Sequence, residues 1–335
     1  IHTSFAALQS RLFIVTEEEL PAAEVDSGRE EVETIRLPEE FEYRAENENL
    51  LILDHFRCRL NGTAFNENAE YVLLLDDRLR QALHIPVRNA RMVQPWVETA
   101  FCGETAEVEL MTEFECEVLP EGEVFLALET PEEFRITLNG VEIPSRTDLW
   151  YFDHSLKKII LPEKLLREGR NDLVLNLRYD CRFQGLESMY IGGRFGVIPK
   201  GVNCCIVKLT PTLHCGDFTE QGFAFYNGSI RCFFPVKRSS DSRFLLKIPV
   251  FHGACCKIYC NGKLVKSCLW GPYEADLSSF VSPGGEALVE LEIIGSPRNM
   301  MGPFFYGEDT LSCCAPRHFK EYHSDHRKLA AFGIA

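Results

Sequence analysis

Phe134-Arg135-Ile136-Thr137-Leu138-Asn139-Gly140 has a counterpart 122 residues further on, Cys256-Lys257-Ile258-Tyr259-Cys260-Asn261-Gly262. In each, an alternating run ends in Asn-Gly and resumes as Val141-Glu142-Ile143 or Lys263-Leu264-Val265. Alternation places successive side chains on opposite faces of a strand, and Asn-Gly supplies the two left-handed residues of a tight hairpin turn. Both copies are followed by an aromatic cluster (Trp150-Tyr151-Phe152; Trp270-Gly271-Pro272-Tyr273), a glycine turn, and a strand (Asp172–Leu177; Ala287–Ile293). A unit said twice, with an offset that drifts to about 115 residues, predicts two related all-β modules whose loops differ in length.

Outward from the first hairpin, short alternating segments recur at the spacing of a β-sandwich: Ala106–Glu113, Glu115–Leu119, Val124–Leu128, Lys158–Leu161 and Leu173–Tyr179. The buried run Asn49–Leu60 opens the first module. A helix is expected over Asp76–Ile85, capped by Asp76 or Asp77 and stopped by Pro86. Cys204–Leu209 is expected to open the second module and Leu329–Ile334 to close it, with Asp276 capping a turn at Leu277–Phe280. The predicted division is 1–30 for the last strand of an upstream domain (Ser10–Val15) with an acidic linker, 31–197 for the first sandwich and 198–335 for the second. A chain opening on Ile1 reads as a fragment.

The 335 residues carry a formal charge of −15, which disfavours partners that need a basic face, nucleic acid and anionic membranes. Thirteen acids against three arginines lie between Glu17 and Glu48, without the alternation of a calcium loop, and read as a solvated linker and strand edge. No apolar run reaches the length of a membrane span. The fourteen cysteines sit mostly inside apolar strand patterns and read as buried thiols in a reducing, cytoplasmic compartment. His252, Cys255, Cys256 and Cys260 lack the paired spacing of a zinc site.

The order Leu53-Asp54 with Arg57 and Leu60, then Asp77-Arg78-Leu79-Arg80, Gln94-Pro95-Trp96 and Tyr190–Gly196 resembles the C-terminal accessory region of bacterial glycoside hydrolases related to α-L-rhamnosidases and the family 2 sugar-binding domain. Gly216–Tyr226, Pro272-Tyr273 with Asp276, Arg298–Pro303 and Ala331–Ile334 extend the likeness over nearly all the chain past residue 45. The resemblance implies tandem galactose-binding-domain-like jelly-roll sandwiches beside a catalytic barrel on the same chain. It implies carbohydrate as partner and no required cofactor; a structural Ca2+, held largely by backbone carbonyls and so not locatable by residue type, is common in the sandwich it resembles.

A sugar site uses an aromatic face and a few amides or carboxylates. The candidates are Trp150 and Tyr151 in the first module, and Asp217, Glu220, Gln221, Tyr226, Trp270 and Asn299 in the second. Each has a plain alternative: the tryptophans could fill the gap between modules, and the loop residues could cap turns. Asp217 and Glu220 are the nearest approach to the carboxylate pair of a glycosidase, but two positions on one loop do not fix a separation. No catalytic residue is assigned. A purely structural pair of modules and a hydrolase or lyase site on the sandwich itself stand as the rival readings.

Overall fold

In the computed structural model, which describes residues 31–88, 100, 102–162, 164–248, 250–307 and 315–335, both Asn-Gly turns close the expected hairpins. Asn139 and Gly140 have φ of 53° and 81°, and Asn261 and Gly262 have 50° and 75°. Each turn asparagine is latched to the strand beyond. Asn139 donates its backbone N–H to Asp172 O while its Oδ1 accepts from Asp172 N, and Asn261 does the same with Leu288. A third such turn, Asn61-Gly62, latches to Glu107. The repeat therefore extends to hydrogen bonding as well as sequence: in both copies the first hairpin strand pairs with the later strand, Phe134–Leu138 with Gly169–Tyr179 and Cys255–Cys260 with Glu286–Ile294.

The chain is mostly β, in several largely antiparallel sheets. The first hairpin edges a nine-stranded sheet that runs inward through Gly169–Tyr179, Ala106–Cys116 and Asn203–Val207 to Gly196–Lys200. A five-stranded sheet, in the order Trp150–Tyr151, Asp153–Leu161, Glu121–Glu129, Met189–Arg194, Asn49–Leu53, shares its core. The second hairpin edges a six-stranded sheet whose core is shared with two three-stranded sheets.

Strand pairing divides the chain differently from the expected boundaries. Val32–Ile35 pairs with Arg243–Lys247, and Glu40–Ala45 pairs with Ser229–Lys237 and Thr212–His214, so both join the second core. The reason is in their patterning, since Phe41, Tyr43 and Ala45 turn one face toward Phe218, Phe223 and Phe234. The boundary at 197/198 falls inside a strand, and Asn203–Val207 pairs in parallel with Ala106–Cys116 of the first core. Ala106–Cys116 is one strand rather than two, and only Gly333–Ile334 of the expected last strand is paired. The helix spans Val72–Ala82 and begins before Asp76, whose side chain is buried as an anchor instead of capping. Asp276 does cap a turn, its Oδ1 accepting from Ser278 N at 2.9 Å. The Ser10–Val15 strand, the linker up to residue 30, Trp96 and Cys313-Cys314 lie outside the described residues.

Gly192 shows how tightly the five-stranded sheet is built. A Cβ there would stand 2.1 Å from Phe125 Cζ, and that ring cannot retreat easily, with Tyr151 at 5.1 Å and Lys158 Nζ at 4.4 Å from its centroid. Gly192→Ala should lower stability by about 1–3 kcal/mol, the usual range for overpacking a core. Urea unfolding measures it; an unchanged midpoint would show that Phe125 has room.

Candidate functional site

The edge of the five-stranded sheet presents the most exposed aromatic group among the candidates of the first core. Trp150–Tyr151 pairs with Asp153–Leu161, but the register slips between the two residues, and Phe152 has a φ of 66°. A left-handed non-glycine residue beside a bulge re-aims side chains. Here Tyr151 turns inward on Phe125, whereas Trp150 remains 46% exposed, between exposed Leu149 and Phe152. The indole packs on His154 with centroids 4.5 Å apart and planes at 36°. One indole face is thus supported while much of its surface is open to water. Tyr151 donates its hydroxyl to Asn227 Oδ1 at 3.1 Å, and burial pushes its pKa up to about 12, so it stays a neutral donor. Asn227 belongs to the segment entering the second core, so this bond braces the edge against it.

The candidates expected in the second module do not converge, and the segment that carries Asn299 packs its Met300, Phe304 and Phe305 into the first core. Asp217 Oδ1 accepts from Thr219 N (2.9 Å) and Phe332 N (3.1 Å). Gln221 bonds both main-chain groups of His214. The Tyr226 hydroxyl donates to Ser229 O and accepts from Asn47 N. Asn299 forms a two-point contact with Ala330, 2.7 Å in each direction. Four of the five polar candidates there thus hold loops together; Glu220 alone points out as an exposed side chain. Trp270, 51% exposed between exposed Leu269 and a glycine, fills no gap between cores, and neither does Trp150. Among the described residues no three His, Cys, Asp or Glu side chains gather to hold a metal, and the described cysteines are free thiols. No helix among them is long and apolar enough to cross a membrane.

Sequence reasoning missed two buried polar networks. Asp54 accepts from His55 Nδ1 at 2.8 Å and from Arg327, and His55 Nε2 meets the Tyr322 hydroxyl at 3.2 Å. Burial alone would raise the Asp54 pKa, but the Arg327 guanidinium and His55 outweigh it and hold the carboxyl below the usual range. Asp76 accepts from Tyr179 Oη (2.6 Å), Leu186 N (2.9 Å) and Arg80 Nε (3.1 Å), with Arg88 Nε at 3.3 Å. Beside it Glu187 is pushed up to about 7 by burial, with Glu129 and Asp76 adding to the effect of burial against Arg88. The available signal was an acid directly ending an apolar run, Leu50-Leu51-Ile52-Leu53-Asp54 and Val72-Leu73-Leu74-Leu75-Asp76, because a charge drawn into the core with such a run must be paired.

No protein-family model and no curated protein matches the sequence. In structure the chain resembles portions of glycoside hydrolases. A GH2 β-galacturonidase from Eisenbergiella tayi bound to glycerol is 10% identical over 76% of this chain and 38% of its own, with a TM-score of 0.26. A β-D-mannosidase from Dictyoglomus thermophilum is 16% identical over 78% and 33%, at 0.28. A rhamnosidase from Novosphingobium sp. PP1Y is 12% identical over 66% and 22%, at 0.24. The chain thus spans well under half the length of these proteins.

Proposed function

We propose that this chain is a non-catalytic accessory region of a glycoside hydrolase, built of galactose-binding-domain-like jelly-roll sandwiches, and that it contacts carbohydrate at the Trp150 edge. The observation that carries the reading is the half-exposed indole propped on His154 at 4.5 Å. A rigid aromatic face open to solvent stacks on the apolar face of a sugar ring at little entropic cost. The residue resemblance to accessory regions of such enzymes supports the same reading, as does Trp270, the exposed tryptophan of the second repeat.

Retention of the chain by soluble polysaccharides in a native gel tests this. Trp150→Ala should weaken retention about tenfold or more, the loss of roughly 1.4 kcal/mol of contact, while leaving the urea midpoint within about 0.5 kcal/mol because the site is exposed. Retention that is absent from the start, or indifferent to Trp150, would remove the Trp150 edge as a carbohydrate contact. A second reading has its own support: Asp217, Gln221, Tyr226 and Asn299 are all spent on internal bonds, which favours a purely structural second module that positions a catalytic domain.

A further inference from the structure

We infer that the nine-stranded sheet carries a separate binding site for a single neutral sugar ring, in a polar cleft where the strand Ala106–Cys116 changes partners. Residues 108–111 of that strand pair with His55–Leu60, ending at Arg57 opposite Met111. Pairing on that side resumes with Asn203–Val207, at Cys205 opposite Glu115. Between these points Thr112, Glu113 and Phe114 have ladder partners only on the other side, in Leu173, Asp172 and Asn171. One neighbour runs antiparallel and the other parallel, so the two begin head to head, with His55 and Asn203 facing across the gap. A cavity of about 360 Å3 opens there, at the small end of ligand sites, which run from about 300 to 1,000 Å3.

Its lining fixes the class of ligand. Arg57 and Arg170 are balanced by Glu67 and Glu113, so a net charge of either sign gains nothing there. Thr112, Asn68 and Asn203 add neutral donors and acceptors, and Met111 and Val202 give an apolar wall. Arg170 is held by Glu113 and Asp172, each at 2.8 Å. The His55 ring is immobilised from behind by Asp54 and Tyr322. Guanidinium and carboxylate groups, of which Arg170 and Glu113 are paired to each other, around a patch of apolar surface suit a ring that presents hydroxyls at its rim and C–H groups on its face. Choosing a sugar among neutral polyols rests on the carbohydrate reading above; the position and charge balance of the cleft do not.

Isothermal titration of the 335-residue chain with D-galactose, D-glucose and L-rhamnose, and with D-galacturonate as the charged counterpart, tests the inference. At least one neutral sugar should bind saturably, about tenfold more weakly in Arg57→Ala. Binding should vanish in Ala69→Trp, which plugs the cleft from an exposed position, and persist in Trp150→Ala. Both cleft positions are exposed, so circular dichroism should show an intact fold. Binding indifferent to Arg57→Ala and Ala69→Trp, a preference for galacturonate, or no saturable monosaccharide binding would overturn the site. A wild-type chain that polysaccharides do not retain but that still binds a monosaccharide would instead count against the Trp150 edge alone.

Discussion

Arg327→Met should destabilise the first core by about 3–5 kcal/mol, because it strands a buried carboxylate. Asp54 is 1% exposed and the Arg327 side chain equally so. The guanidinium also donates to Gly201 O (2.9 Å) and Val202 O (2.8 Å) and lies 5.6 Å from the centroids of both Phe225 and Phe305. One side chain near the end of the chain therefore ties the start of Asn203–Val207 to Asp54, 273 positions away. The pH dependence has a definite sign. The Asp54 carboxyl is held below its ordinary value of about 4, so its contribution is present above that value and is lost as pH falls through the lower folded one. Removing Arg327 should move acid unfolding to higher pH. Asp54→Asn combined with Arg327→Met should recover part of the loss, since the buried charge is then gone. Denaturant titrations at neutral and acid pH measure both effects, and a single-variant loss below about 1 kcal/mol would show that water reaches Asp54.

Asp76→Ala should cost a similar amount, about 3–5 kcal/mol, by a different route. It removes the acceptor of four groups at once: Tyr179 Oη, Leu186 N, and the guanidinium groups of Arg80 and Arg88. The Arg80 side chain is only 4% exposed and keeps carbonyl partners at Phe183 and Pro86, which satisfy its hydrogens without neutralising its charge. Asp76→Asn should fall between wild type and alanine, because its amide oxygen can still accept from Tyr179 or Leu186. Two cores make more than one unfolding transition the natural expectation. The transition of the core containing Tyr179 should drop while that containing Phe234 stays. Calorimetry separates them, and a uniform shift of both would show that the cores unfold as one.

How far the sequence could be read follows from what kind of physics each feature obeys. The hairpins were legible because Asn-Gly and alternation act over a few residues, and the turn latches at Asn139 and Asn261 repeat the same geometry. The affiliation of Glu40–Ala45 was not, because strand pairing across 185 or so positions leaves no local trace beyond a face that any core could accept. Asp76 was misread as a cap by a rule that is right for exposed acids at helix starts; only its distant partners Tyr179 and Leu186 show why an acid sits within the helix. For the site, Trp150 kept the exposure a platform requires, whereas Asp217, Gln221, Tyr226 and Asn299 proved to be fasteners. Polar residues in loops look alike in sequence whether they face a ligand or a backbone carbonyl. The cleft at Arg57 was invisible for a further reason: it exists because one strand changes neighbours, and no single segment encodes that.

The claim that Trp150 meets carbohydrate is tested most directly by its own fluorescence. The chain has three tryptophans, so Trp96→Phe with Trp270→Phe leaves Trp150 as the only indole. Titrating that protein with polysaccharides that retain the wild type should shift the emission to the blue and saturate, as a sugar ring covers the face now open to water. An emission maximum that stays fixed while the polysaccharide is demonstrably bound would contradict the account, and would place the carbohydrate elsewhere on the molecule.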